Sequence, residues 1–164
     1  MKQGKLVRDK IPQIIKADVL EVCQSVANSL EHLSSERKIS VTIEGEPVWA
    51  AIPPARLREV CSNLIENSLK YTNPGGVVTV STEKRGEKVV ITFADNGIGI
   101  PKEVQSRVFE RFYRVDKGRA RQAGGTGLGL AIVKHIVQLY GGSIDLRSSV
   151  GIGTTVIVEL PAGR

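Results

Sequence analysis

From Asn96 to Gly127 the chain carries a long run rich in glycine and charge, with one short helical pattern near Lys102–Phe112, set between a strand that ends at Asp95 and a helix that begins at Leu128. A connection of that length inside a compact domain is uncommon unless it serves a function. The rest of the chain must therefore supply a complete scaffold, and this run supplies residues that meet something else. At 164 residues and 41% hydrophobic, the chain is long enough for one domain with a core and short for two. One Trp and three Phe leave that core to Val, Ile, Leu and Ala.

Periodicity outlines the scaffold. Residues 17–34 place Val19, Val22, Cys23, Val26, Leu30 and Leu33 at three- and four-residue steps, the stripe of an amphipathic helix. Two β-rich pieces, 39–45 and 48–52, flank turn material from Glu44 to Pro47 and predict a hairpin. Pro53-Pro54 opens a second helix that runs to about Thr72, where Asn73-Pro74-Gly75-Gly76 stops it. Strands follow at 77–84 and 87–95, the latter alternating with Val89, Ile91 and Phe93 on one face. A third helix, Leu128–Tyr140, ends at Gly141-Gly142, and strands at 143–148 and 154–160 close the chain. The expected fold is an α/β sandwich of two layers, one mixed sheet with its helices packed on one side.

The net charge of +6 is spread along the chain, with no aromatic residues interleaved among the Lys and Arg as a single-strand platform needs. An anionic small ligand accounts for it better than nucleic acid. Cys23 and Cys61 sit in apolar helical patterns without metal-ligand spacing and read as small buried hydrophobes of a reducing compartment. No apolar run approaches the ~20 residues of a membrane span, and the expected location is cytoplasmic.

Three clusters bear chemistry. On the second helix Glu59, Asn63, Glu66, Asn67 and Lys70 share a face opposite Leu57, Val60, Cys61, Leu64 and Ile65. Such a face is ordinarily just solvated, but two mid-helix asparagines cost stability that Lys or Glu would not. An amide oxygen is a neutral ligand for a hard cation, and Mg²⁺ on a nucleotide needs only one or two protein oxygens; Asn67 suits that role. The second cluster, Asp95–Pro101, reads either as a simple Asn-Gly turn or as a pocket. In the pocket, Gly97 and Gly99 admit a flat ligand and Asp95 accepts from an exocyclic amino group such as that of adenine. The third, Gly124–Leu130, presents backbone N–H groups at a helix N-terminus, a usual phosphate site. Between the last two, five arginines from Arg107 to Arg121 stand beside Phe109, Phe112 and Tyr113 and suit a polyphosphate.

In this order SNLIENSLKYT, DNGIGIP, VFERFYR and GGTGLGLAIVKHIV resemble the four nucleotide-binding boxes of the sensor histidine kinases, within the superfamily of DNA gyrase, the heat-shock chaperone of ninety kilodaltons and MutL. The resemblance covers roughly residues 17–160. It implies a Bergerat-type fold, a mostly antiparallel sheet with helices on one face, that binds Mg-ATP beneath a flexible lid. By resemblance Asn67 is the Mg²⁺ ligand, Asn63 its supporting neighbour, Lys70 a phosphate contact and Tyr71 a wall for the adenine. Asp95 reads the adenine, and Gly97, Gly99 and Ile100 shape its pocket. Arg111 and Arg114 approach the terminal phosphate; Gly125, Thr126, Gly127, Leu128 and Gly129 bind the phosphate chain; Thr155 lies beside the adenine.

The superfamily's ATP-hydrolysing members typically carry a glutamate general base four residues before the Mg²⁺-binding asparagine. Here that position is Asn63, and an amide cannot take the proton. Transfer to a histidine therefore fits better than hydrolysis, with a slow ATPase or a non-enzymatic nucleotide-sensing module as alternatives. No motif resembling HELRTPL is present, and His32 and His135 read as surface or packing residues. Residues 1–16 resemble the connector that follows a dimerisation domain, so the expectation is a monomeric catalytic domain, 17–164, separated from the domain bearing its acceptor histidine. Through that domain it would serve a response regulator.

Overall fold

The structure, a computed structural model, describes residues 15–110 and 129–163. Strand β1 (Ala17–Asp18) leads into α1 (Val19–Ser29), whose first turn is capped where Asp18 accepts from the Glu21 N–H at 3.2 Å. The apolar stripe predicted one helix over 17–34, but the chain breaks at Leu30 (φ −102°, ψ 8°) and restarts as α2 (Glu31–Arg37). Asn28 and Ser29 are weak helix formers, and the Ser29 hydroxyl donates to the Val26 carbonyl at 2.8 Å, offering the backbone a rival partner.

The predicted hairpin does not form. Strand β2 (Ser40–Gly45) pairs in parallel with β4 (Val77–Arg85), whereas β3 (Trp49–Ala50) pairs with β1 in a separate two-stranded ribbon. Glu46 is tied to β4 instead of turning back. Its N–H donates to the Thr82 carbonyl at 3.1 Å, its carbonyl accepts from the Thr82 hydroxyl at 2.7 Å, and its carboxylate accepts from the Lys84 N–H at 3.2 Å. Gly45 has φ +119°, and a Cβ there would strike the backbone of Thr82, so this crossing requires glycine.

Helix α3 (Pro54–Tyr71) starts on proline as predicted. Beyond β4 come β5 (Lys88–Asp95), a 3-10 turn (Lys102–Arg107), α4 (Gly129–Leu139), β6 (Ser143–Ser149) and β7 (Gly153–Pro161). The main sheet runs β2-β4-β5-β7-β6, parallel only between β2 and β4. Register aligns Ile43, Val80, Phe93, Val156 and Leu146 in one row across the sheet. That face meets Leu57, Val60, Cys61, Leu64, Ile65 and Leu69 of α3, with α1 over the β2 side and α4 over the β6 side. The expected helix-on-sheet sandwich is therefore the observed one. None of the described helices is long and apolar enough to cross a membrane.

Phe93 is 1% exposed at the centre of the row. Phe93→Ala is expected to cost about 3–5 kcal/mol, since few neighbours can collapse into the vacated space, and to lower Tm by about 10 °C in a thermal melt.

Candidate functional site

One row beyond Phe93 the sheet's core face turns polar. Register places Asp95, Thr154 and Ser148 side by side at the ends of β5, β7 and β6. Asp95 Oδ1 accepts from the Gly97 N–H at 2.9 Å and the Thr154 N–H at 3.2 Å, and Ser68 of α3 donates to the same carboxylate. Burial pushes the Asp95 carboxyl above its ordinary 3.8, opposed in turn by the bonds from Gly97, Ser68 and Thr154. The Ser148 hydroxyl lies 2.7 Å from that of Thr154 and accepts from the Ile100 N–H at 2.7 Å, fixing the loop after β5 to the sheet.

That loop is clamped from both sides. The Ile98 N–H donates to the Tyr71 carbonyl at 3.0 Å at the end of α3, and the Gly151 N–H donates to the Ile98 carbonyl at 2.8 Å from the β6–β7 turn. A Cβ on Gly97 would strike the Tyr71 carbonyl and one on Gly99 (φ +79°) the Ser149 carbonyl. Both glycines are thus required by the protein's own close packing, before any ligand is considered. A groove of about 630 Å³ between the 3-10 turn and β6 borders the same loop, and at its edge Gln105 donates to the Ile100 and Ser148 carbonyls at 2.9 and 3.0 Å.

On α3 the polar face predicted from spacing is present, with Glu59, Asn63, Glu66, Asn67 and Lys70 all half-buried. Asn63 Nδ2 donates to the Glu59 carbonyl at 2.8 Å, which leaves its oxygen as the outward group. That Oδ1 lies 3.4 Å from where a Cβ on Gly129 would sit, so the N-terminus of α4 comes down onto the polar face of α3. From Asn63 to Tyr71 is about 12 Å along the helix at ~1.5 Å per residue. The face offers hard oxygen donors, two amides and Glu66, and a Mg²⁺ whose other ligands are phosphate and water fits such a set. Among the described residues there is no group of three His, Cys, Asp or Glu that could hold a metal by itself.

The structure therefore gathers Asn63, Asn67, Lys70, Tyr71, Asp95, Gly97, Gly99, Ile100 and Gly129 around the C-terminal half of α3. Arg111, Arg114, Gly125, Thr126, Gly127 and Leu128 lie outside the described residues, as does most of residues 1–16. Thr155 is corrected by the register: it pairs with Ala94 and Arg147 on the opposite face of the sheet, and its neighbour Thr154 adjoins Asp95. Extending the alternation of Val156, Val158 and Leu160 back by two would have selected Thr154. Ser68 was also missed, because a serine within an apolar helix face reads as a small filler. His32 and His135 are exposed, as expected of surface residues.

The family described as histidine kinase-, DNA gyrase B-, and HSP90-like ATPase matches residues 52–164. The sensor-like histidine kinase SenX3 of Mycolicibacterium smegmatis is 38% identical over 154 residues, which is 93% of this chain and 40% of that protein. The sensor histidine kinase WalK of Bacillus subtilis is 47% identical over 116 residues, 70% of this chain and 19% of WalK. The chain thus spans less than half the length of these relatives. Among solved structures, the mycobacterial sensor histidine kinase MprB superposes with TM-score 0.76 at 31% identity, covering 90% of this chain and 97% of that one. Full-length ShkA in complex with AMPPNP gives TM-score 0.77 at 25% identity, covering 90% of this chain and 31% of that one.

Proposed function

Because the chain belongs to the histidine kinase-, DNA gyrase B- and HSP90-like ATPase family, we propose that it binds Mg-ATP and donates the γ-phosphoryl group to a histidine on a partner dimerisation domain, as the kinase module of a cytoplasmic two-component sensor serving a response regulator. The observation that carries this reading is that one helix borders both ends of the site. Ser68 of α3 donates to Asp95, while Asn63, little more than a turn away, faces the N-terminus of α4. A reader for the base and a helix end for phosphates are thereby held along one rigid element.

A carboxylate offers about four acceptor sites, and three donors already orient Asp95, leaving capacity for the amino group of adenine. Tyr71 would wall the base, and Thr154 stands beside it. Lys70 and the α4 N-terminus with Gly125–Gly129 would hold the phosphates, with Arg111 and Arg114 at the terminal one. Asn67 would hold Mg²⁺, supported by Asn63; bound there, the ion supplies neutralisation of phosphate charge. What this chain contributes to transfer is positioning and charge stabilisation, and the partner brings the nucleophile. A slow ATPase is disfavoured because Asn63, at the position of the base, presents an amide that already donates to the Glu59 carbonyl.

ShkA was captured with AMPPNP, and the same analogue tests this reading here. Calorimetry with and without Mg²⁺ is expected to give Mg-dependent binding, with negligible phosphate release from ATP on the same sample. Absence of binding rejects the site, and sustained release selects the ATPase.

The raised Asp95 pKa gives a pH test with two opposite signs. Between its unfolded and folded values the native state holds the extra proton, so this group favours folding at low pH, and that contribution is lost as pH rises through the folded value. Nucleotide binding needs the ionised form, so affinity falls as pH drops through the same raised value. Melting and AMPPNP titrations of wild type and Asp95→Asn across pH check both: as pH falls, the wild type should gain stability relative to the variant while losing affinity.

A further inference from the structure

Cys23 of α1 and Cys61 of α3 are each 0% exposed, and their sulfurs lie 3.7 Å apart in the seam between the two helices. Two residues along α1, the Ser25 hydroxyl accepts from Arg58 of α3 at 3.0 Å, so the seam is registered by a polar contact next to the thiol pair. A disulfide needs the sulfurs at about 2.05 Å, a closure of about 1.7 Å that side-chain rotation and a small helix shift can provide. We propose that Cys23 and Cys61 are a reversible oxidation site that controls the nucleotide site through α3; the control, though not the chemistry, rests on the function proposed above.

The oxidant is a peroxide. One thiolate attacks the peroxide oxygen to give a sulfenic acid and release one water; the second sulfur displaces the hydroxyl as a second water and forms the S–S bond. Two thiols have then lost two electrons to the one peroxide. A dithiol reverses the step by exchange and leaves as its own disulfide. The hydrogen bond with Cys23 and burial push the Cys61 thiol well up, so the pair rests as thiols and reacts when α1 lifts from α3.

The consequence follows from the order of the helices. Helix α1 packs on one side of α3, over β2 and β4, and α4 packs on the other, over β6 and β7. Drawing the Cys61 side of α3 toward α1 moves Asn63 away from Gly129, widening the 3.4 Å approach that joins α3 to the phosphate end of the site.

The test treats the protein with hydrogen peroxide, removes the excess, and reads intact mass, non-reducing peptide maps and AMPPNP affinity, before and after dithiothreitol. The expected result is a loss of about 2 Da, the two hydrogens of the thiols, a linked Cys23–Cys61 peptide, and affinity lower by about tenfold, a usual size for coupling between sites, all restored by dithiothreitol. Cys23→Ala and, should that variant be poorly folded, Cys61→Val should keep full affinity under peroxide. Separate oxygen additions on each thiol, an intermolecular dimer, or a linked pair with unchanged affinity each overturn the proposal. If the reduced protein fails to bind AMPPNP, the function proposed above is what fails, and the mass and peptide map still decide whether the pair is an oxidation site.

Discussion

Asp95→Asn is expected to lower affinity for AMPPNP by at least about 100-fold, about 2.7 kcal/mol, without unfolding the protein. The two effects separate because the function proposed above gives Asp95 two tasks. Its Oδ1 organises backbone, accepting from Gly97 and Thr154, and an amide oxygen can do the same. Its charge is already disfavoured by burial, so removing it relieves a cost in the free protein. The amide's other end, however, is an NH₂ group, which turns a donor toward the amino group of the adenine where an acceptor is needed. A charge-assisted hydrogen bond is lost and two donors oppose each other. Calorimetry paired with a melt reads both quantities. Retained affinity would remove Asp95 from the base site, and loss of affinity together with a collapsed Tm would mean that its role is structural.

Residues legible in the sequence and residues that were not differ by how local their determinants are. The alternation of Val89, Ile91 and Phe93 and the stripe of Leu57, Val60, Cys61 and Leu64 declared their elements because each repeats its own period. Strand β2 was correctly taken as a strand, yet its partner was misread. The choice between β3 and β4 is decided by Glu46 reaching Thr82 and Lys84, far along the chain. The break at Leu30 was hidden because the apolar stripe runs on through Leu33. Gly97 and Gly99 were singled out only on the pocket reading, as room for a flat ligand, whereas the reason the structure shows, contact with the Tyr71 and Ser149 carbonyls, is tertiary. The closeness of Cys23 to Cys61 could not be seen at all, since 38 positions separate them.

Asn67→Ala is expected to remove the increment in nucleotide affinity that Mg²⁺ provides, a loss of at least about tenfold given that even indirect metal partners are worth about 10–100-fold. The helix itself should not suffer. Asn67 is half-buried on the polar face, so truncation opens no core cavity, and alanine is the better helix former by up to ~0.7 kcal/mol. The variant therefore isolates one oxygen donor. In EDTA, where only the proposed contacts that need no cation would act, at Asp95 and at the phosphates, variant and wild type should bind AMPPNP equally; in Mg²⁺ only the wild type should tighten. Equal tightening in both would reject Asn67 as the ligand. An equal loss with and without Mg²⁺ would make its amide a direct contact to the nucleotide, and the cation would then have to be sought at Asn63 or Glu66 on the same face.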